Sequence, residues 1–223
     1  MREERVMAWD DVPEWAKDVT ASILAAVKEK DPFTFYHCCR VGRNAKKLAK
    51  AMGLNEFEQI VLEFSGLFHD VGKVGVPDDI LLKPGRLTSN EIEVMKAHPL
   101  KSAQIIEPLA SLPLFRFTLP GVRYHHERID GTGYPFNLVG DKIPLFARVV
   151  SVVDCVDAMT NTRPYRKALP MEKVIAELKE FSGSQFDAEL VKIYLQASPH
   201  WNKEEKEDHD SEAIVRTLLD EAA

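Results

Sequence analysis

Five of the seven histidines, His37, His69, His98, His125 and His126, fall within a ninety-residue window, and Asp70 and Asp154 accompany them. His37, His69, His98 and His125 are 32, 29 and 27 residues apart in turn, and Asp154 follows His126 by 28. Each interval is the length of about two helices with their turns, after which an up-and-down helical chain returns to the same end of a bundle. Imidazoles and carboxylates gathered this way are ligands for Fe, Mn, Ni or Zn. A thiolate zinc knot is excluded, because Cys38 and Cys39 are adjacent, Cys155 is remote and there is no CxxC. The cysteines are expected to be reduced thiols. His200 and His209, in the polar C-terminal stretch, are expected to be surface residues, and the Ser and Cys side chains near the ladder lack a base in triad order.

The elements that must position these groups read as helices throughout. Trp15, Val19, Ile23 and Val27 form one apolar stripe, and Cys38, Val41, Ala45, Leu48 and Met52 form a second that closes at Gly53. The first helix could cap the bundle or mediate a homodimer. Asn55 with Glu58, and Thr88 with Glu91, have the spacing of capping boxes. They open helices running to His69-Asp70 and to His98, where Pro99 forces a restart. A helix ends near Tyr124-His125-His126, since DGTGYP suits only a loop. Pro144 suits N1 of an apolar helix through Asp154 to Met159, and 171–181 and 188–197 supply two more. No run alternates as a strand does, so the expectation is an all-α bundle. Three segments are expected: an N-terminal helical extension over 1–33, a catalytic domain over 34–198, and an acidic tail with a terminal helix over 199–223.

The formal net charge of −6 belongs to the ends: residues 1–30 carry −2, residues 199–223 carry −5, and residues 31–198 carry +1. That distribution excludes a broadly basic nucleic-acid surface but leaves the centre open to an anionic small molecule. The N-terminus lacks the apolar stretch of a signal peptide, and the longest apolar run is broken by Arg148 and Asp154. No membrane span is expected, and the protein is expected to work in the cytoplasm.

Taken in order, FHDVGKVGVPDDIL, the AHP at 97–99, HHERIDGTGYP and IPLFARVVSVVDCVDAMTNTRPYR resemble the HD-GYP branch of the HD metal-dependent phosphohydrolases, and the resemblance spans roughly 34–198. It implies an HD-type helical bundle with a GYP loop, cyclic di-GMP phosphodiesterase activity and two divalent ions, Fe or Mn ahead of Ni or Zn. By the resemblance, His37, His69, Asp70 and Asp154 hold one ion, and Asp70 bridges to a second held by His98, His125 and His126. Family members with a third ion carry a Glu four residues before the first histidine. Here that residue is Phe33, which implies two ions. The resemblance also implies that Lys73 meets the scissile phosphate, that Arg163 and Arg166 contact the nucleotide, and that the loop of Asp130, Gly131, Gly133, Tyr134 and Pro135 borders the site and contacts diguanylate cyclase domains. Glu127 could orient a ligand histidine or be solvated, and Asp157, three residues beyond Asp154 on one helix, is expected to support the ligands rather than bind metal. In the expected reaction, water activated by the ions attacks phosphorus in line and a 3′-oxygen leaves, giving linear dinucleotide and then GMP. Cyclic GMP-AMP hydrolysis and a weakly active cyclic-dinucleotide receptor are the alternatives.

Overall fold

A computed structural model describes residues 12–161 and 167–204, with side chains through Trp201. Arg163, Arg166, His209 and the expected terminal helix lie outside the described residues. Ten α-helices are defined among those residues: α1 Glu14–Lys30, α2 Pro32–Ala51, α3 Glu56–Phe68, α4 Asp78–Leu81, α5 Ser89–Lys96, α6 His98–Ile106, α7 Pro113–Tyr124, α8 Leu145–Thr160, α9 Met171–Glu180 and α10 Ala188–Glu204. Pairing between extended segments is confined there to isolated bridges at Asp130–Val139 and Ser182–Phe186. Among the described residues no helix is long and apolar enough to cross a membrane.

Helix α3 is the axis of the bundle. It is apolar nearly all round, which only a buried helix tolerates. Leu62 joins the cluster made by α2, α8, α9 and α10, while Ile60, Val61, Phe64, Leu67 and Phe68 join the cluster made with α1, α6 and α7. Phe64 meets Phe115 edge to face, with centroids 5.9 Å apart. The antiparallel hairpin of α2 and α3 crosses at Gly42 and Gly66, where a Cβ on Gly66 would stand 2.6 Å from Gly42 Cα. This contact is backbone on backbone. It sets His37 and His69, just beyond the crossing on each helix, at the same end of the pair.

The caps follow the local sequence. Asn55–Glu58 and Thr88–Glu91 form complete capping boxes, α5 stops with Ala97 as its cap, and α6 restarts at His98 with Pro99 in its first turn. Pro144 is the N-cap of α8, one place earlier than the expected N1. Three features differ more. The buried face of α1 is Ala16, Thr20, Leu24 and Val27, and Trp15 is 48% exposed, so the helix sits about one residue out of phase with the expected stripe. Ala16 and Leu24 fit where α1 packs on α2 and the 71–75 turn, and the bulky indole stays outside. Helix α4 was not expected, its four residues being too few to show a period. Helix α10 runs on through Pro199, across the expected boundary at 198/199, because Trp201 anchors its last turn edge to face on Tyr194 at 5.2 Å.

Candidate metal centre

Three histidines sit where helices end. His69 caps α3, His125 caps α7, and His98 follows the cap of α5. Each donates its Nδ1–H to the carbonyl three residues back: His69 to Gly66 at 2.6 Å, His98 to Met95 at 2.8 Å and His125 to Val122 at 2.8 Å. Those carbonyls belong to the last turn, where the regular donor four residues on is missing. Because a carbonyl oxygen only accepts, Nδ1 must carry the hydrogen, and the Nε2 lone pair points away from the helix. His37 lies inside α2, and its Nδ1–H donates instead to Asp157 Oδ2 of α8 at 2.7 Å.

The Nε2 atoms converge. His37 and His69 bring theirs within 3.2 Å, His98 and His125 within 3.3 Å, and His98 and His126 within 3.2 Å. Asp70 stands between the two groups, with Oδ2 at 3.3 Å from His69 Nε2 and 3.6 Å from His37 Nε2, and Oδ1 at 3.0 Å from His98 Nε2. Asp154 Oδ1 is 3.0 Å from His37 Nε2 and 3.8 Å from His69 Nε2. Ligand atoms of His37, His69 and Asp70 all lie within 4.8 Å of one another, as do those of His98, His125 and His126. Asp70 Oδ1 is buried with no hydrogen-bond donor, since its near neighbour offers a lone pair. Lone pairs facing at such distances in a buried site repel unless cations lie among them. An all-imidazole and carboxylate donor set with an orphaned bridging oxygen therefore fits divalent metal ions.

Protonation states agree with that use. Burial raises the carboxyl of Asp70, but Lys73 and the histidines override it and hold the group well below the usual carboxylate range; Asp154 is likewise held low, against burial, by His37. Burial, then the neighbouring imidazoles, pushes His125 down, and burial with His98 pushes His126 to about 3. These groups are anionic or neutral at pH 7, as metal ligands must be. Burial also works to lower His37, yet its hydrogen bonds to Asp154 and Asp157 lift it to about 9, so a cation that takes its Nε2 displaces a proton.

Asp157 is buried and ties the centre to the scaffold. Arg40 forks onto it, Nε to Oδ1 at 2.7 Å and Nη2 to Oδ2 at 3.0 Å, and Asn161 Nδ2 donates to Oδ1 at 3.0 Å. Arg40 was missed in the sequence. Its only signal was the matched spacing, three residues after His37 as Asp157 is three after Asp154. Lys73 Nζ lies 2.5 Å from Asp70 Oδ2.

The loop after His126 is built around a carboxylate. Glu127 is buried and accepts from Phe136 N at 2.7 Å and Leu138 N at 2.9 Å, so it holds loop amides rather than a histidine or solvent. A Cβ on Gly133 would stand 2.4 Å from Arg128 N and 2.6 Å from Glu127 Cα, which no other residue permits. Arg128 forks onto Asp130 through Nε at 3.2 Å and Nη2 at 2.8 Å, and with Thr132 drives the Asp130 carboxyl low. Gly131 turns at φ +78°, and Pro135 follows a cis bond from Tyr134. The Tyr134 ring stacks on His126 with centroids 4.7 Å apart. A cavity of about 440 Å³ opens over the centre, its walls including His37, Lys73, His98, His126, Phe33 and Tyr134.

Helices that return histidines and aspartates to one end of a bundle define the HD class. Residues 21–190 match the family model described as HD domain, and the chain belongs to that family. Its HHERIDGTGYP loop sets it in the HD-GYP branch. It is 37% identical over 194 residues to the cyclic di-GMP phosphodiesterase response regulator RpfG of Xanthomonas campestris, covering 86% of this chain and 51% of that protein. It is 38% identical over 166 residues to a cyclic di-GMP phosphodiesterase of Thermotoga maritima, covering 74% and 45%. The chain thus spans about half the length of these curated relatives. A solved cyclic GMP-AMP specific phosphodiesterase of V. cholerae shares the fold, with TM-score 0.63 at 18% identity over 89% of this chain and 52% of that one.

Proposed function

We propose that this chain hydrolyses cyclic di-GMP with two divalent metal ions, Fe or Mn. The observation that carries the reading is the convergence of Nε2 atoms on the two oxygens of Asp70, one group of histidines on each side. His37, His69, Asp70 and Asp154 would hold one ion, and His98, His125, His126 and Asp70 the other. Bound there, two ions supply a water of lowered pKa and charge on the phosphoryl oxygens. The chain's own residues do the rest. The Nδ1 bonds aim the ligand nitrogens at the ions, Asp157 with Arg40 keeps His37 in register, and Lys73 presents a point charge to a phosphate oxygen at the cavity wall. Arg163 and Arg166 are assigned to nucleotide contact, and the GYP loop to contact with diguanylate cyclase domains.

Three relatives named for cyclic di-GMP are 37–38% identical to this chain and one named for cyclic GMP-AMP is 36% identical, so the first substrate is taken as the main reading and the second is tested beside it. The test is anaerobic purification, elemental analysis, and product identification from both cyclic dinucleotides side by side. Two ions per chain, with linear dinucleotide appearing before GMP and cyclic di-GMP turned over faster, are expected. Three ions would remove the two-metal reading. Tight binding without turnover would make the protein a receptor.

A further inference from the structure

We propose that Phe33 is a substrate-binding residue that stacks on one nucleobase of the substrate, beside the metal centre. The inference rests on the cyclic-dinucleotide reading above and adds to it the place where a base is held. Phe33 is the second residue of α2. Its position is pinned by the N-cap Asp31, which accepts from Phe33 N through Oδ1 at 3.1 Å and from the Thr34 amide and hydroxyl through Oδ2 at 3.1 and 2.6 Å. One helical turn on, on the same face, stands His37. The two rings lie within 11° of parallel, with centroids 6.4 Å apart.

The cavity gives this ring its setting. On one side it is bounded by the ligand histidines His37, His98 and His126 together with Lys73. The same lining includes the apolar side chains of Phe33, Leu81, Leu82, Leu87 and Met95, with Asp31, Thr34 and Lys83 among them. A site that only handled a phosphodiester would need the first group alone. An aromatic ring that lines the same cavity as these aliphatic side chains, one turn of helix from His37, offers a slot for a flat, weakly polar body carried on the same molecule as the phosphate. A nucleobase has that shape, and its π-face is what an aromatic platform binds without regard to hydrogen-bonding edge. The about 440 Å³ of the cavity falls within the range of small-molecule sites.

The experiment compares Phe33→Leu and Phe33→Tyr with the unaltered, metal-loaded protein. Leu keeps an apolar side chain and removes the π-face; Tyr keeps the ring. Three quantities are read: KM and kcat for cyclic di-GMP, the Kd of its slowly hydrolysed phosphorothioate analogue by calorimetry, and metal content. Phe33→Leu is expected to raise KM and Kd by about 5- to 150-fold, the range that base stacking spans, with kcat within about twofold and metal content unchanged. Phe33→Tyr should stay within about threefold of the parent. Equal KM and Kd in the Leu variant overturn the proposal, as does loss of metal with a fall in kcat, which would make the ring a support for His37. If the parent neither binds nor cleaves a cyclic dinucleotide, the functional reading fails and this inference with it; normal turnover by both parent and Leu variant overturns the inference alone.

Discussion

Replacing Asp157 by Asn tests whether the centre is held from outside its ligands. The two side chains have nearly the same shape, so the change removes a charge and converts one acceptor into a donor. In the native protein Oδ2 accepts from His37 Nδ1 and Arg40 Nη2, and Oδ1 accepts from Arg40 Nε and Asn161 Nδ2. Whichever way the amide turns, its NH2 faces two donors. With the amide nitrogen toward His37, Nδ1 must become the acceptor and the hydrogen moves to Nε2, which can no longer bind a cation. With the oxygen toward His37, the guanidinium loses its charged partner. Charge-assisted hydrogen bonds contribute about 1.5–3 kcal/mol each. The Arg40 side chain is 31% exposed, which discounts its share, so a stability loss of about 2–4 kcal/mol is expected. Removing such a support for a ligand histidine weakens metal affinity about 10- to 100-fold. Urea unfolding of the chelated protein reads the first quantity and competition for Mn with a chelator the second. A variant within about 0.5 kcal/mol and twofold of the parent on both would refute the view that Asp157 positions His37.

The chelated protein should be most stable near pH 6.5. His37, raised to about 9, contributes stability that is complete below its unfolded value near 6.5 and lost as pH rises through 9, whereas His126, lowered to about 3, contributes above 6.5 and loses that contribution as pH falls. Thermal melts across pH 5–10 check this, and an apo protein that gains stability from pH 7 to 9 contradicts it; metal should flatten the alkaline limb. Gly133→Ala drives a methyl into the backbone of Arg128 and Glu127 and should cost about 1–3 kcal/mol or more, read by urea unfolding, with displacement of the Tyr134 ring from His126 visible in a crystal structure. Lys73→Met should lower kcat by about 10²- to 10³-fold while leaving metal content intact; loss of metal instead would make Lys73 a support for Asp70.

Much of the helical frame was legible because its signals are local. Capping boxes at Asn55 and Thr88, the restart at Pro99 and the stripe from Cys38 to Leu48 each depend on residues within a turn or two. The histidine spacing belongs with these, since helix lengths set how far the chain travels before it returns. The phase of α1 was not legible: stripes can be drawn from Trp15 or from Ala16, and only packing against α2 and the 71–75 turn chooses the smaller side chain. Glu127 looked like a neighbour of His126, yet its partners are amides 9 and 11 residues on, in a loop whose path no periodicity encodes.

By itself, then, the sequence determined the longer helices, the capped ends among them and the ladder of ligand-type residues, because these follow from propensity and period along the chain. Only the tertiary structure decided the chemistry of the centre. The tautomer of each histidine depends on which oxygen its Nδ1 reaches, and for His37 that oxygen lies 120 residues away on α8. Whether Asp70 faces one group or two depends on how α3, α6 and α7 pack, as does the setting of Phe33 at the mouth of the centre. Such contacts join positions far apart in the chain and have no local signature, so folding alone brings them into being.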